Sequence, residues 1–135
     1  GWKIMEGFHC YEVDKCDDEG LMPPIYEYPN NANYIKTLIG ISQKDRNGCS
    51  VTGGYVYRGS INKKLYGKYI FGDYCTGKLW SFKYDNGVLK DFENHTKSIM
   101  NSIDQNSFYL SSFGQNIDGE LFLIDYNGSI YLLVD

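Results

Sequence analysis

Gly67-Lys68-Tyr69-Ile70-Phe71-Gly72-Asp73-Tyr74-Cys75-Thr76-Gly77-Lys78-Leu79-Trp80-Ser81-Phe82 aligns with Gly119-Glu120-Leu121-Phe122-Leu123-Ile124-Asp125-Tyr126-Asn127-Gly128-Ser129-Ile130-Tyr131-Leu132-Leu133. Each stretch reads as strand, Asp-Tyr turn, glycine, strand. Asp73 and Asp125 are 52 positions apart (125 − 73). That spacing fits a repeat built from one four-stranded antiparallel sheet and lies far from the period of helical solenoids.

The composition agrees. The 135 residues include 13 Tyr, 7 Phe and 15 Gly but a single alanine, Ala32, so aromatic and turn residues stand where a helical protein carries Ala, Leu and Glu. An all-β domain is predicted. The net charge is -4 and the longest basic run is Lys63-Lys64, which lacks the concentrated basic stripe of a nucleic-acid groove. No apolar run reaches the length of a membrane span, and no signal-peptide pattern opens the chain, which places any export signal upstream of Gly1.

Strand-like runs fall at Ser50 to Arg58, Lys68 to Asp73, Lys78 to Tyr84 and Val88 to Phe92, then at Phe108 to Phe113, Glu120 to Asp125 and Ser129 to Val134. The turns between them include Gly59-Ser60, Thr76-Gly77, Asp85-Asn86-Gly87, Asp118-Gly119 and Asn127-Gly128. Short connections predict antiparallel meanders. Lys97 to Ile103 reads as an outer strand or a loop, and no segment reads as a helix. Residues 1–33 are broken by Pro23-Pro24, Pro29 and Asn30-Asn31, with Ile25 to Tyr28 as their single strand candidate. Thr37 to Ser42 is a brief apolar run, followed by a turn at Lys44 to Gly48.

These elements predict about two four-stranded blades of a β-propeller. Residues 1–48 form a loop-rich, disulfide-pinned segment, 49–93 the penultimate blade and 94–135 the last. Each blade of a propeller buries its faces against its neighbours, so two blades leave apolar sheet faces uncovered. The remaining blades are expected from the same longer protein or from an assembly. Cys10, Cys16, Cys49 and Cys75 allow three pairings and show no Cys-x-x-Cys spacing. Cys10 with Cys16 and Cys49 with Cys75 is the expected scheme, with free buried thiols and a metal site as the alternatives. Disulfides imply an extracytoplasmic protein, secreted or periplasmic.

Gly48-Cys49-Ser50-Val51-Thr52-Gly53-Gly54-Tyr55-Val56-Tyr57-Arg58-Gly59, Phe71 to Gly77, Ser111 to Gly114, Asp118 to Leu121 and Asp125 to Gly128 together resemble one family. It is the glucose/sorbosone dehydrogenase family of six-bladed propellers, which includes soluble quinoprotein sugar dehydrogenases and hedgehog-interacting-protein-like proteins. The opening Gly1 to Gly7, with Cys10-Tyr11 and Cys16, is similar to the segment before the last blades of these proteins. The resemblance implies oxidation of a sugar hydroxyl by pyrroloquinoline quinone (PQQ) with calcium, or else a non-catalytic extracellular propeller that binds a sugar, a glycan or a protein. Holding the three PQQ carboxylates takes clustered positive charge. Where catalytic members carry a lysine at the penultimate turn this chain has Cys75, and where they carry two arginines on the last inner strand it has Phe108-Tyr109-Leu110-Ser111.

Several residues are candidates. Arg58, with Tyr55, Gly53 and Gly54, is the cofactor-facing set; the structural alternative pairs Arg58 with Asp73 or a loop carbonyl and assigns Gly53-Gly54 to crowding. Tyr55 and Tyr57 share one face and Val56 takes the other. Asn116, Asp118 and Glu120 place oxygens at spacings that suit calcium or a hairpin turn. Asp73 and Asp125, recurring at the same repeat position, are expected to hold their turns. His9 and His95 read as surface histidines, which leaves the catalytic residue unassigned. Asn94-His95-Thr96 and Asn127-Gly128-Ser129 match the N-glycosylation pattern.

Overall fold

A computed structural model describes residues 1–30, 48–103 and 107–134. Among the described residues it is mostly sheet: β1 (Met5–Glu6), β2 (His9–Cys10), β3 (Val51–Val56), β4 (Tyr69–Asp73), β5 (Leu79–Asp85), β6 (Val88–Asn94), β7 (Leu110–Gln115), β8 (Leu121–Asp125) and β9 (Ile130–Leu132), with one short helix, α1 (Thr96–Ser102). The strands form antiparallel sheets of two, four and three, each a simple meander in chain order. The tight connections dictate this. At Asn86-Gly87 both residues have positive φ, +49° and +83°, as a type I′ hairpin between β5 and β6 demands.

The pleat divides the four-stranded sheet into two chemically different faces. Opposite partners Phe71 and Trp80, and Tyr69 and Phe82, lie on one face; Ile70 and Leu79 lie on the other. The aliphatic face packs with Tyr57, Leu110, Phe113, Leu121 and Leu123 to make the main core between the two larger sheets. The aromatic face is covered in part by Tyr26 and Tyr28 from the N-terminal segment. Gly72 makes the inner packing possible, since a Cβ there would collide with the Leu110 side chain. The two meanders approach through their first strands, β3 and β7, where the Thr52 hydroxyl donates to the Leu110 carbonyl at 3.1 Å.

A bulge breaks the β3–β4 register between Thr52 and Tyr55, placing one extra residue on β3. Its effect is to turn Val51 and Val56 toward the same aromatic side, although their separation in a regular strand would oppose them. Tyr57 is buried in the main core while Tyr55 stays partly exposed. Gly53-Gly54 occupies the bulge, and a Cβ at Gly54 would collide with the Ile70 carbonyl.

Three expectations are corrected. Thr96–Ser102 is helix: Asn94 Oδ1 accepts the Thr96 N–H at 3.0 Å, and Ile99, Met100 and Ile103 recur at helical spacing to pack on the main core. The helix takes the place of an outer strand, so among the described residues the second sheet has three strands where four were expected. Ile25 to Tyr28 pairs with no strand among the described residues and instead contributes its tyrosines to the aromatic layer, while the N-terminal segment holds a small hairpin, β1–β2. The apolar run Thr37 to Ser42 and most of the turn after it lie outside the described residues. Both disulfides, Cys10–Cys16 and Cys49–Cys75, have the expected pairing.

Gly54→Ala is expected to cost about 1–3 kcal/mol, because the added methyl must displace β4 backbone. Gly114→Ala, where the nearest atom to a new Cβ is 3.8 Å away, is the control and should leave stability unchanged or slightly raised. Equal urea midpoints for the two variants would contradict the close approach of β3 and β4.

Candidate functional site

The two Asp-Tyr turns lie at the same end of the paired meanders and are built alike. Tyr74 donates its N–H to the Ser50 carbonyl at 3.0 Å, and Tyr126 donates to the Tyr109 carbonyl at 2.9 Å. Each turn thus returns to the start of its sheet's first strand. Asp73 is wholly buried, and its carboxylate accepts from Cys49 N, Ser50 N, Thr76 N, the Thr76 hydroxyl and the Tyr28 hydroxyl, all at 2.8–2.9 Å. Burial alone would raise its pKa. The donors from Ser50, Thr76 and Cys49 outweigh it and hold the carboxyl below the usual aspartate range. Burial, then the bond to Asp73, push the Tyr28 phenol well above its ordinary value, so it stays a donor. Asp125 repeats the plan, with Oδ1 accepting from Tyr109 N at 3.0 Å and Asn127 N at 3.1 Å. Both aspartates hold their turns as the repeat predicts.

On these anchored turns three tyrosines converge. The Tyr74 ring lies 5.7 Å from Tyr109, tilted, and 5.8 Å from Tyr126, edge to face. Tyr126 is 72% exposed and Tyr109 36%, so the cluster presents aromatic surface to solvent. The Cys49–Cys75 disulfide braces the same end, joining the segment that leads into β3 to the first turn. An Asp73 oxygen and the two sulfurs lie within 4.8 Å of one another, but sulfurs bonded to each other offer no thiolate to a metal.

The sequence-selected cofactor set does not converge. Gly53 and Gly54 are in the bulge, where β4 backbone fills the space beside Gly54. Arg58 lies past the far end of β3, its guanidinium 5.7 Å from the centre of the Tyr66 ring, and Asp73 takes other partners. Of the structural alternative for Arg58, a pair with Asp73 or with a loop carbonyl, the Asp73 pair is corrected: the two belong to opposite ends of the strand pair. These residues do not make a cradle for three carboxylates. Among the calcium candidates, Asn116 Oδ1 accepts the backbone N–H groups of Asp118 and Glu120, whereas the buried Glu120 carboxylate turns to the Tyr57 hydroxyl, Ser60 N and Ile61 N. Donation by Tyr57 holds Glu120 below the usual glutamate pKa against the opposing effect of burial. These oxygens tie a loop to a hairpin turn and face different partners.

His95 is the residue that sequence reading missed. It is half-buried, with Nε2 2.7 Å from the hydroxyl of the fully buried Ser81 and 3.8 Å from Glu93, which Lys68 pairs at 2.7 Å. Ser81 and Glu93 face the same ring nitrogen, whereas a nucleophilic triad needs the carboxylate on the other one. The group is structural. Burial lowers the His95 pKa, Glu93 opposes that and Lys68 adds to it. His9, by contrast, is exposed and pairs with Glu27 at 3.0 Å.

On the aromatic face of the four-stranded sheet a groove of about 670 Å³ opens between Val51, Val56, Tyr69 and Phe71 on one side and Ile25 and Tyr26 on the other. No helix among the described residues is long and apolar enough to cross a membrane. No protein-family model matches the chain.

Asp73→Asn sets amide hydrogens against several N–H donors and should cost roughly 2–4 kcal/mol in urea unfolding, against about 1 kcal/mol for Tyr28→Phe. Equal, small losses would show that Asp73 is not the anchor. With its folded pKa lowered, His95 contributes stability that is present above about pH 6.5 and declines as pH falls from there toward the folded value, since the unfolded chain binds the proton first. His95→Gln should flatten that slope, and an unaltered slope would assign it elsewhere.

Proposed function

We propose that this chain supplies neighbouring wedges of an extracytoplasmic β-propeller of the glucose/sorbosone dehydrogenase type, and that its tyrosine-lined end binds carbohydrate. The wedge reading is supported by what the sheets leave uncovered. On the three-stranded sheet, Phe122 opposes Leu132 and Ile124 opposes Ile130, an apolar ladder in which Ile130 is 68% exposed. The aromatic face of the other sheet carries the open groove. The sheets meet through their first strands, as inner strands of adjoining blades do. Each outward face thus has room for one more sheet, supplied by the longer protein or an assembly. The disulfides are in keeping with secretion or a periplasmic location.

Tyr74, Tyr109 and Tyr126 carry the functional reading. Aromatic rings packed on one another offer flat apolar faces to the C–H surface of a pyranose with only two side-chain torsions each to order, and their hydroxyls can bond its hydroxyls. The competing reading is PQQ-dependent sugar oxidation, supported by the sequence motifs. It needs converging basic groups, and Arg58 lies at the opposite end. Binding without catalysis is therefore favoured, with a carbohydrate ahead of a protein as the partner.

The whole protein is expected to bind neutral gluco-oligosaccharides in calorimetry without added cofactor. Tyr126→Ala or Tyr74→Ala should weaken binding about tenfold, equivalent to ~1.4 kcal/mol. Reduction of an artificial electron acceptor by the whole protein with PQQ, calcium and aldoses would instead establish the dehydrogenase reading.

A further inference from the structure

We propose that Asn94 is an N-glycan attachment site, a role independent of the tyrosine cluster. Two sequons occur, and the fold treats them differently. Asn94 ends the edge strand β6 and is exposed. Its Oδ1 accepts the Thr96 N–H at 3.0 Å, which orients the amide, while Nδ2 has no hydrogen-bond partner among the described residues. The Thr96 hydroxyl accepts the Leu79 N–H at 3.1 Å and fixes the third position of the sequon beside it. A sugar on Asn94 Nδ2 therefore displaces no hydrogen bond among the described residues, and Asn94 stands at the sheet edge. At Asn127, by contrast, Nδ2 donates to the Ser107 carbonyl at 3.3 Å, and the residue sits in the tight β8–β9 turn next to Tyr126. The disulfides fit passage through an oxidising compartment, where sequons are modified in eukaryotic cells.

The co-reactant is an oligosaccharide linked to a polyprenyl diphosphate. The Asn94 Nδ2 forms a bond to the anomeric carbon as the carbon–oxygen bond to diphosphate breaks; the amide proton passes to a carboxylate of the transferase, and the polyprenyl diphosphate leaves. No electron transfer is involved.

The test is to secrete the whole protein from mammalian cells, treat it with peptide:N-glycosidase F and map the peptides by mass spectrometry. The Asn94 peptide is expected to convert to its aspartate form on treatment. The glycan should be absent from Asn94→Asp, which keeps the Oδ1 acceptor for Thr96 and so should fold, and retained in Thr96→Ser, which keeps the sequon. Recovery of an unmodified Asn94 peptide from secreted, disulfide-bonded protein would overturn the proposal. So would a glycan found at Asn127 and not at Asn94.

Discussion

The buried carboxylate of Asp73 organises this molecule. Five donors from three separate segments meet on its two oxygens: Tyr28 from the N-terminal stretch, Cys49 and Ser50 at the entry to β3, and Thr76 in the turn itself. A carboxylate without exposure is tolerated only when its lone pairs are filled, so none of these segments can leave without a large desolvation penalty. Through Ser50 it sets where β3 begins, through Thr76 it shapes the β4–β5 turn, and through Tyr28 it draws an aromatic residue across the outer sheet face. The Cys49–Cys75 bond reinforces that geometry by restricting the unfolded chain.

At the other end Glu120 does the corresponding task, receiving the Tyr57 hydroxyl and the Ser60 and Ile61 amides. One carboxylate thus locks the end where the tyrosines gather, and the other ties the loop after β3 to the turn before β8. Between them the aliphatic core joins the two larger sheets, and its packing requires a residue without a side chain at Gly72. The tyrosine cluster stands on this frame: the backbones of Tyr74 and Tyr126 are tied by hydrogen bonds to the residues that lead into the first strands.

The uncovered apolar faces give the molecule a directional character. Phe122, Ile124, Ile130 and Leu132 on one flank and the groove beside Phe71 on the other are surfaces that an isolated β domain would ordinarily cover or charge. The proposed propeller accounts for both at once, because a blade has two packing faces.

Strand identity was legible in the sequence because alternation, aromatic content and Asn-Gly or Asp-Gly turns are local signals, and all seven strands of the two larger sheets fall within a few residues of where they point. The repeated Asp-Tyr turns and the disulfide pairing were legible too, since recurrence and spacing are properties of the chain. Thr96–Ser102 was not: seven residues with two β-branched members and no strong capping signal become helical through packing of Ile99 and Met100 on the main core. Nor was the site. Arg58 stands out in the sequence as a basic residue inside a motif, yet its local pattern does not reveal that its guanidinium comes to lie over Tyr66; His95 reads as a surface residue, yet the β5–β6 pairing brings Ser81 and Glu93 to its ring. Reading the chain alone was enough for the strands and their turns, because alternation and turn chemistry act between neighbours a few residues apart, and for the recurrence of the two Asp-Tyr turns. Which tyrosines meet, which face stays open, which carboxylates are buried and which distant donors fill the Asp73 oxygens came from folding, because those outcomes depend on how separate segments and meanders pack.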